Sequence, residues 1–484
     1  ALRELAYEEA VRLFRVALRT LDLFGASTER RIDDLLGLGD AEGRAGDLEG
    51  SRVTFRRARD LAREASSPER LALAALGHGG RFGWSRNNRD PELVPTLEEA
   101  LEQIGPADSS LRARVLARLA GAHRDDWSRE PRDSMSAEAV AIARRLGDPA
   151  TLAIALEIRF RSTWWVENAE DRLVIGNELV ELAAHTHDRE RVFEAHLARC
   201  DALWELGRTT EARAELEVAA RAARELGQPA QLNMIMSNQA VDAFRAGHLA
   251  EAEELTSRAV LIGAGSEGPE AVVAHRMQMF LIRREQGRVP EIEADLLGVA
   301  RQLPNRWVLG CVVAALHAER GRVAAAKRAL HELGDGDLAR LPLDNEYLFG
   351  VSLLPEVCAI AGDEARAAQL HALLLPFRAR NSADLQDADT GSIELPLGRL
   401  AVQLGWRDLA IEHFTAAIAA NEREGASLWV AWSSYELGRI LATDPDPDTA
   451  ARGRARIGEA ADAARAMGLV VLEARAREAL AVPA

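Results

Sequence analysis

The stretch VFEAHLARCDALWELGRTTEARAELEVAARAAREL, Val192 to Leu226, decides the fold. It is an apolar-periodic run, a glycine, and a second run whose inward positions are small. The pattern returns across Val192–Leu297, with glycines at Gly207, Gly247 and Gly287, spaced by 40 and 40. The second runs carry Ala212 and Ala219, then Ala252 and Ala259, then Ile292 and Val299. Small side chains there let antiparallel helices approach closely, and self-similarity at this period is the signature of a stacked repeat array. The spacing predicts an all-α, tetratricopeptide-like α-solenoid, a right-handed superhelix of about twelve antiparallel helix pairs. Each unit is expected to touch only its neighbours.

The rest of the 484 residues follow that period outward. Residues 4–22 read as one amphipathic helix of the second-helix type, so segment 1–24 is expected to be a half repeat continuing from a missing N-terminal part. Solenoid repeats are expected over 25–186, regular 40-residue repeats over 187–333, and C-terminal repeats with capping helices over 334–484. Leu35, Leu38-Gly39, Ser51, Phe55 and Ala58 follow the tetratricopeptide spacing closely, as do Gly398, Gly405, Ala410, Phe414 and Ala417. Longer polar loops are expected at Asn87–Pro91, Asp125–Asp133, Gly334–Asn345 and Asn381–Gly391. No strand alternation stands out.

Bulk chemistry excludes several classes. The net charge of −16 offers no basic face for phosphates, so direct nucleic-acid binding is not expected. Cys200, Cys311 and Cys358 are sparse and unpaired in sequence, which fits free thiols in a reducing cytosol. No apolar run is long enough to span a membrane, and a cytoplasmic location is expected. The only lysine, Lys327, follows no glycine loop, which rules out a Walker A phosphate cradle. Gly263-Ala-Gly-Ser-Glu-Gly268 matches a dinucleotide fingerprint, but a helix precedes it where a strand is required. His331-Glu332 lacks the second histidine of a zinc motif. His185, His187, Asp188 and Glu190 cluster at a helix junction and read as a solvated loop. No catalytic constellation, cofactor or metal is expected.

One register does carry candidate binding residues. Trp84, Trp164, Trp204 and Phe244 recur near the ends of first helices, with Arg124 and Arg284 in the same register. First helices of such arrays line the concave face. These residues either form an aromatic and arginine ladder facing a groove or pack between adjacent repeats. Trp165 must point away from Trp164. The same faces carry Glu157, Arg161, Glu194, Asp201, Glu205, Arg245 and Glu285. Arg161, Asp201, Glu205 and Arg245 join the ladder as candidates for holding a protein or small-molecule effector.

Two phrases point to a family. Leu146-Gly-Asp-Pro-Ala-Thr-Leu-Ala153 and Asp126-Trp-Ser-Arg-Glu-Pro-Arg-Asp133 sit in pairs with a period near 40. They resemble the C-terminal helical region of large actinobacterial ATP-dependent regulators. In those proteins a signal-transduction ATPase precedes the array, with a LuxR-type or antibiotic-regulator-type DNA-binding domain, or a nucleotide cyclase domain, elsewhere. The resemblance implies a non-enzymatic, effector-sensing or autoinhibitory region acting on neighbouring ATPase and DNA-binding domains. A regulatory region for a cyclase and a free-standing protein-interaction scaffold remain the alternatives, because this chain holds neither the ATPase nor an output domain.

Overall fold

The computed structural model describes residues 6–25, 27–80, 82–83, 85, 90–125, 128–186, 188–266, 269–384 and 387–481. Local rules set the helix ends. Ser27, Asp47, Ser109, Asp148, Asp188, Asp363 and Asp446 each accept a backbone N–H at a helix start. Pro149, Pro229 and Pro447 open their helices. The period-setting glycines have left-handed backbone, with φ of 70° at Gly207, 88° at Gly247 and 69° at Gly287. A residue with a Cβ would be strained there, which is why the repeat is punctuated by glycine.

The first helices are α1 (Tyr7–Phe24), α2 (Thr28–Arg44), α3 (Leu48–Glu64), α4 (Pro68–His78), α5 (Leu93–Ile104), α6 (Ser110–Ala122) and α7 (Glu130–Leu146). Next come α8 (Pro149–Ser162), α9 (Ala169–Ala184), α10 (Arg189–Glu205), α11 (Thr209–Leu226), α12 (Pro229–Ala246), α13 (Leu249–Gly263) and α14 (Pro269–Glu285). The less regular part holds α15 (Glu293–Gln302), α16 (Val308–Glu319), α17 (Val323–Glu332), α18 (Tyr347–Ser352), α19 (Leu354–Ala361) and α20 (Glu364–Leu374). The chain closes with α21 (Glu394–Gln403), α22 (Arg407–Arg423), α23 (Ser427–Ala442), α24 (Pro447–Met467) and α25 (Val470–Ala481). The architecture is an all-α tetratricopeptide-like solenoid. Its pairs are held by the expected small residues: Ala212, Ala219, Ala252 and Ala259 are at most 1 % exposed.

Two expectations are corrected. The segment Asn381–Gly391 is no simple loop. Strand β1 (Asn381–Asp384) pairs antiparallel with β2 (Ala388–Ser392), with an irregularity between Asn381 and Ala383. Every residue of β2 is buried. The hairpin packs against α10, α12, α14, α18, α22 and α23.

The units also do not touch only their neighbours. Tyr7 Oη accepts a hydrogen bond from Gln228 Nε2 at 3.0 Å, Arg44 pairs with Glu190, and the Leu48 amide donates to the Gly265 carbonyl at 2.9 Å. Further along, the Val166 amide reaches the Leu343 carbonyl at 3.2 Å, and Arg380 pairs with Glu170 at 2.6 Å. Successive superhelical turns therefore pack on each other.

Candidate functional site

Along the second turn the inner face is filled by the chain itself. Trp204 donates its indole N–H to Asp389 Oδ2 on β2 at 3.1 Å. Arg245, fully buried, lies 4.9 Å from the centre of the Trp204 ring. Its Nη2 donates to Glu424 Oε2 at 2.6 Å, and its Nε stands 3.3 Å from Asp389 Oδ1. Asn381 Nδ2 donates to the Trp204 carbonyl and to Glu424 Oε2, at 3.1 and 2.6 Å. Phe244 meets Trp429 edge to face at 6.0 Å. Burial pushes the Asp389 and Glu424 carboxyls up from their usual range, against the pull of Arg245.

The other candidates are likewise partnered inside. Trp164 donates to Glu205 Oε2 at 3.0 Å, and the same oxygen pairs with Arg172, whose guanidinium lies 4.0 Å from the Trp164 ring centre. Arg161 pairs with Asp201, whose carboxyl burial pushes up to about 6. Arg284 pairs with Glu319 at 2.5 Å and with Glu356. Arg124 donates to Asn345 Oδ1 at 3.2 Å. Trp165 is half-buried between Arg129 and Arg132, 4.5 and 4.3 Å from its ring centre. Trp84 lies outside the described residues, as does His187. Trp204, Arg245 and Phe244 thus lie against Asp389, Glu424 and Trp429 of the same chain rather than open solvent.

Glu285 shows what such burial does. It is 2 % exposed, accepts the Trp432 indole N–H at 2.9 Å, and has its carboxyl pushed up by burial to about 7. Between the unfolded value of 4.5 and about 7 the native chain holds a proton that the unfolded chain has released. This group's contribution to stability therefore falls as pH rises through that window. Glu285→Gln keeps the acceptor and removes the charge. It is expected to match the parent near pH 4 and to exceed it by about 2–3 kcal/mol at pH 8. Urea midpoints at the two pH values check this; an equal midpoint at pH 8 would refute it.

The first turn is different. A hollow of about 440 Å³ opens among α2, α3, α4, α6, α8 and α10. Its floor is apolar, with Phe55, Leu73, Leu76, Ile154 and Ile158. Arg114 and Arg118 of α6 line it together with Glu157 of α8 and Glu190, Arg191 and Glu194 of α10. Glu157 is committed to Arg191, and Glu190 to Arg44. Arg118 is buried because α4 ends on a small residue: a Cβ at Gly79 would collide with its Nε. Glu157 and Glu194 belong to the faces read from sequence as polar and inward. Arg114 and Arg118 were legible too, since the 40-residue period places them level with Ile154 and Ile158.

No family model matches this chain, and no curated protein matches it. Solved structures do. The chain is similar to one in the Cut9–Hcn1 hetero-tetramer of the APC/C, 14 % identical over 99 % of this chain and 94 % of that one, with a TM-score of 0.35. It is similar to a Rap protein complexed with competence and sporulation factor, 10 % identical over 77 % and 98 %, TM-score 0.38. Yeast Tom70 is 14 % identical over 92 % and 95 %, TM-score 0.36.

Among the described residues no group of histidine, cysteine and acidic side chains could hold a metal, and no helix is long and apolar enough to cross a membrane. His331, from the truncated zinc-like motif, meets Asp363 at 2.9 Å. Of the Gly263–Gly268 motif, Gly263 ends α13 and the Gly265 carbonyl accepts the Leu48 amide, while Glu267 and Gly268 lie outside the described residues. The three cysteines are buried, and burial raises each thiol, which removes the thiolate that chemistry needs.

Proposed function

We propose that this chain is a non-enzymatic sensing array, the effector-binding or autoinhibitory region of a multidomain ATP-dependent transcriptional regulator. The observation that supports it is the contrast between the two turns: the second is filled by its own hairpin, the first is hollow. The hollow is bordered by the contacts that close one turn on the next, Arg44 with Glu190 and, nearby, Leu48 with Gly265. An effector seated there changes the free energy of that closure, and only a ligand that distinguishes the closed from the loosened array can act as a signal. The closed or loosened array then restrains or frees a neighbouring ATPase. Partners are thus a protein or small-molecule effector and the adjoining domains, with no direct nucleic-acid contact by this region.

The coding sequence on either side of these residues tests the reading. A P-loop ATPase together with a DNA-binding domain supports it, whereas a cyclase domain would make the array part of a signalling enzyme. Stop signals on both sides would make it a free-standing scaffold. In the full protein, mutating the Arg44–Glu190 pair is expected to change the rate of ATP hydrolysis several-fold. An unchanged rate would remove the coupling from the proposal.

A further inference from the structure

The wall that α6 presents to the hollow carries positive charge with no counter-charge of its own. Arg114 and Arg118 are one helical turn apart and share a face. Arg118 is 1 % exposed; its Nη1 and Nη2 donate to the carbonyls of Ser85 and Gly79 at 3.0 and 2.9 Å, and its Nε is buried with no partner. Arg114 is half-buried and makes no hydrogen bond or ion pair among the described residues. Arg52, beside the lining residue Ser51, also has a buried Nε without a partner.

Most of the nearby carboxylates are engaged elsewhere: Glu157 with Arg191, Glu190 and Asp40 with Arg44, and Asp90 with His78. Glu194 also lines the hollow, and its charge acts on Arg191. Asp188 caps α10. Burial, reinforced by neighbouring arginines, lowers Arg114 and brings Arg118 down to about 10. A protein does not keep desolvated guanidinium groups unpaired at no cost, and an unpaired buried charge is the expensive case. A planar guanidinium is also the side chain best matched to carboxylate or phosphate oxygens.

We propose that the hollow binds a small organic anion, a carboxylate or phosphate on an apolar body. Its head sits on Arg114 and Arg118 and its body on Phe55 and Ile158. The cavity is of ordinary size for such a ligand, and charged side chains of α2, α6, α8 and α10 line it together with apolar residues of α3, α4 and α8. This deepens the reading of the hollow as the effector site and rests on it. Its failure would leave the regulator assignment standing, since flanking sequence decides that separately.

The test is calorimetric titration of the whole chain with 3-phenylpropionate, its neutral amide, and 2-phenylethyl phosphate. One anion or both are expected to bind at least tenfold more tightly than the amide, and the tighter of the two names the head group. Arg114→Gln is expected to abolish that preference. It is also expected to raise the melting temperature of the ligand-free chain, because it removes a desolvated charge with no counterion. Arg118→Gln should weaken the anions tenfold or more; should that variant fail to fold, Arg114→Gln decides alone, since that side chain holds nothing else in place. Equal binding of acid, phosphate and amide, no binding of either anion, or parent-like anion binding by Arg114→Gln would each overturn the proposal.

Discussion

Arg245→Met is expected to destabilise the protein by about 3–5 kcal/mol, among the largest losses available to a single substitution here. The guanidinium is fully buried between Asp389 on the hairpin and Glu424 at the end of α22. Without it two carboxylates are left inside with no cation between them, and burial already raises both. They must then bind protons on folding, so the loss should deepen as pH rises from about 5 to 8. Chemical denaturation at both pH values measures it. The triple variant Arg245→Met, Asp389→Asn, Glu424→Gln is expected to recover most of the loss, because it removes the charges together. A single variant within 1 kcal/mol of the parent, by the same denaturation, would show that the hairpin is not held by this pair.

Trp432→Ala is expected to cost about 3–5 kcal/mol through the cavity it leaves. Trp432 is 2 % exposed, stands edge to face with Tyr435 at 6.0 Å, and has Arg399 and Arg475 at 5.2 and 5.3 Å from its ring. It also joins α23 to α14 through Glu285. Trp432→Phe keeps most of the packing and drops the indole N–H, so about 1–3 kcal/mol is expected at pH 8, where Glu285 is more ionised and loses its donor. In the Glu285→Gln background that cost should shrink. Identical costs in the two backgrounds, by double-mutant cycle, would mean the indole contributes volume alone.

The candidate site was only half legible. The register of Trp204, Phe244 and Arg245 is periodic, so sequence places these residues on the inner face. What fills the space beside them is not periodic: Asp389 is 185 positions from Trp204, and Glu424 is 179 from Arg245. The hairpin that carries Asp389 is a short run of small and polar residues, Asn381-Ser-Ala-Asp384 and Ala388-Asp-Thr-Gly-Ser392. Its strands carry no large apolar side chain, so there is no hydrophobic alternation to announce them. Arg114 and Arg118 were within reach of the 40-residue period, but charge on a helix reads by default as a solvated face, and burial is what gives these two their meaning.

Sequence alone determined what depends on neighbours in the chain. Left-handed glycines, acidic and seryl caps, and small residues one helix apart dictate helical hairpins and their period, because each acts within about 40 residues. The tertiary structure decided how tightly those hairpins wind, which turn is plugged and which is hollow. Those outcomes hang on pairs such as Arg44 with Glu190 and Tyr7 with Gln228, 146 and 221 positions apart. Whether such partners meet is set by small rotations accumulated over many repeats, and no local pattern encodes that sum.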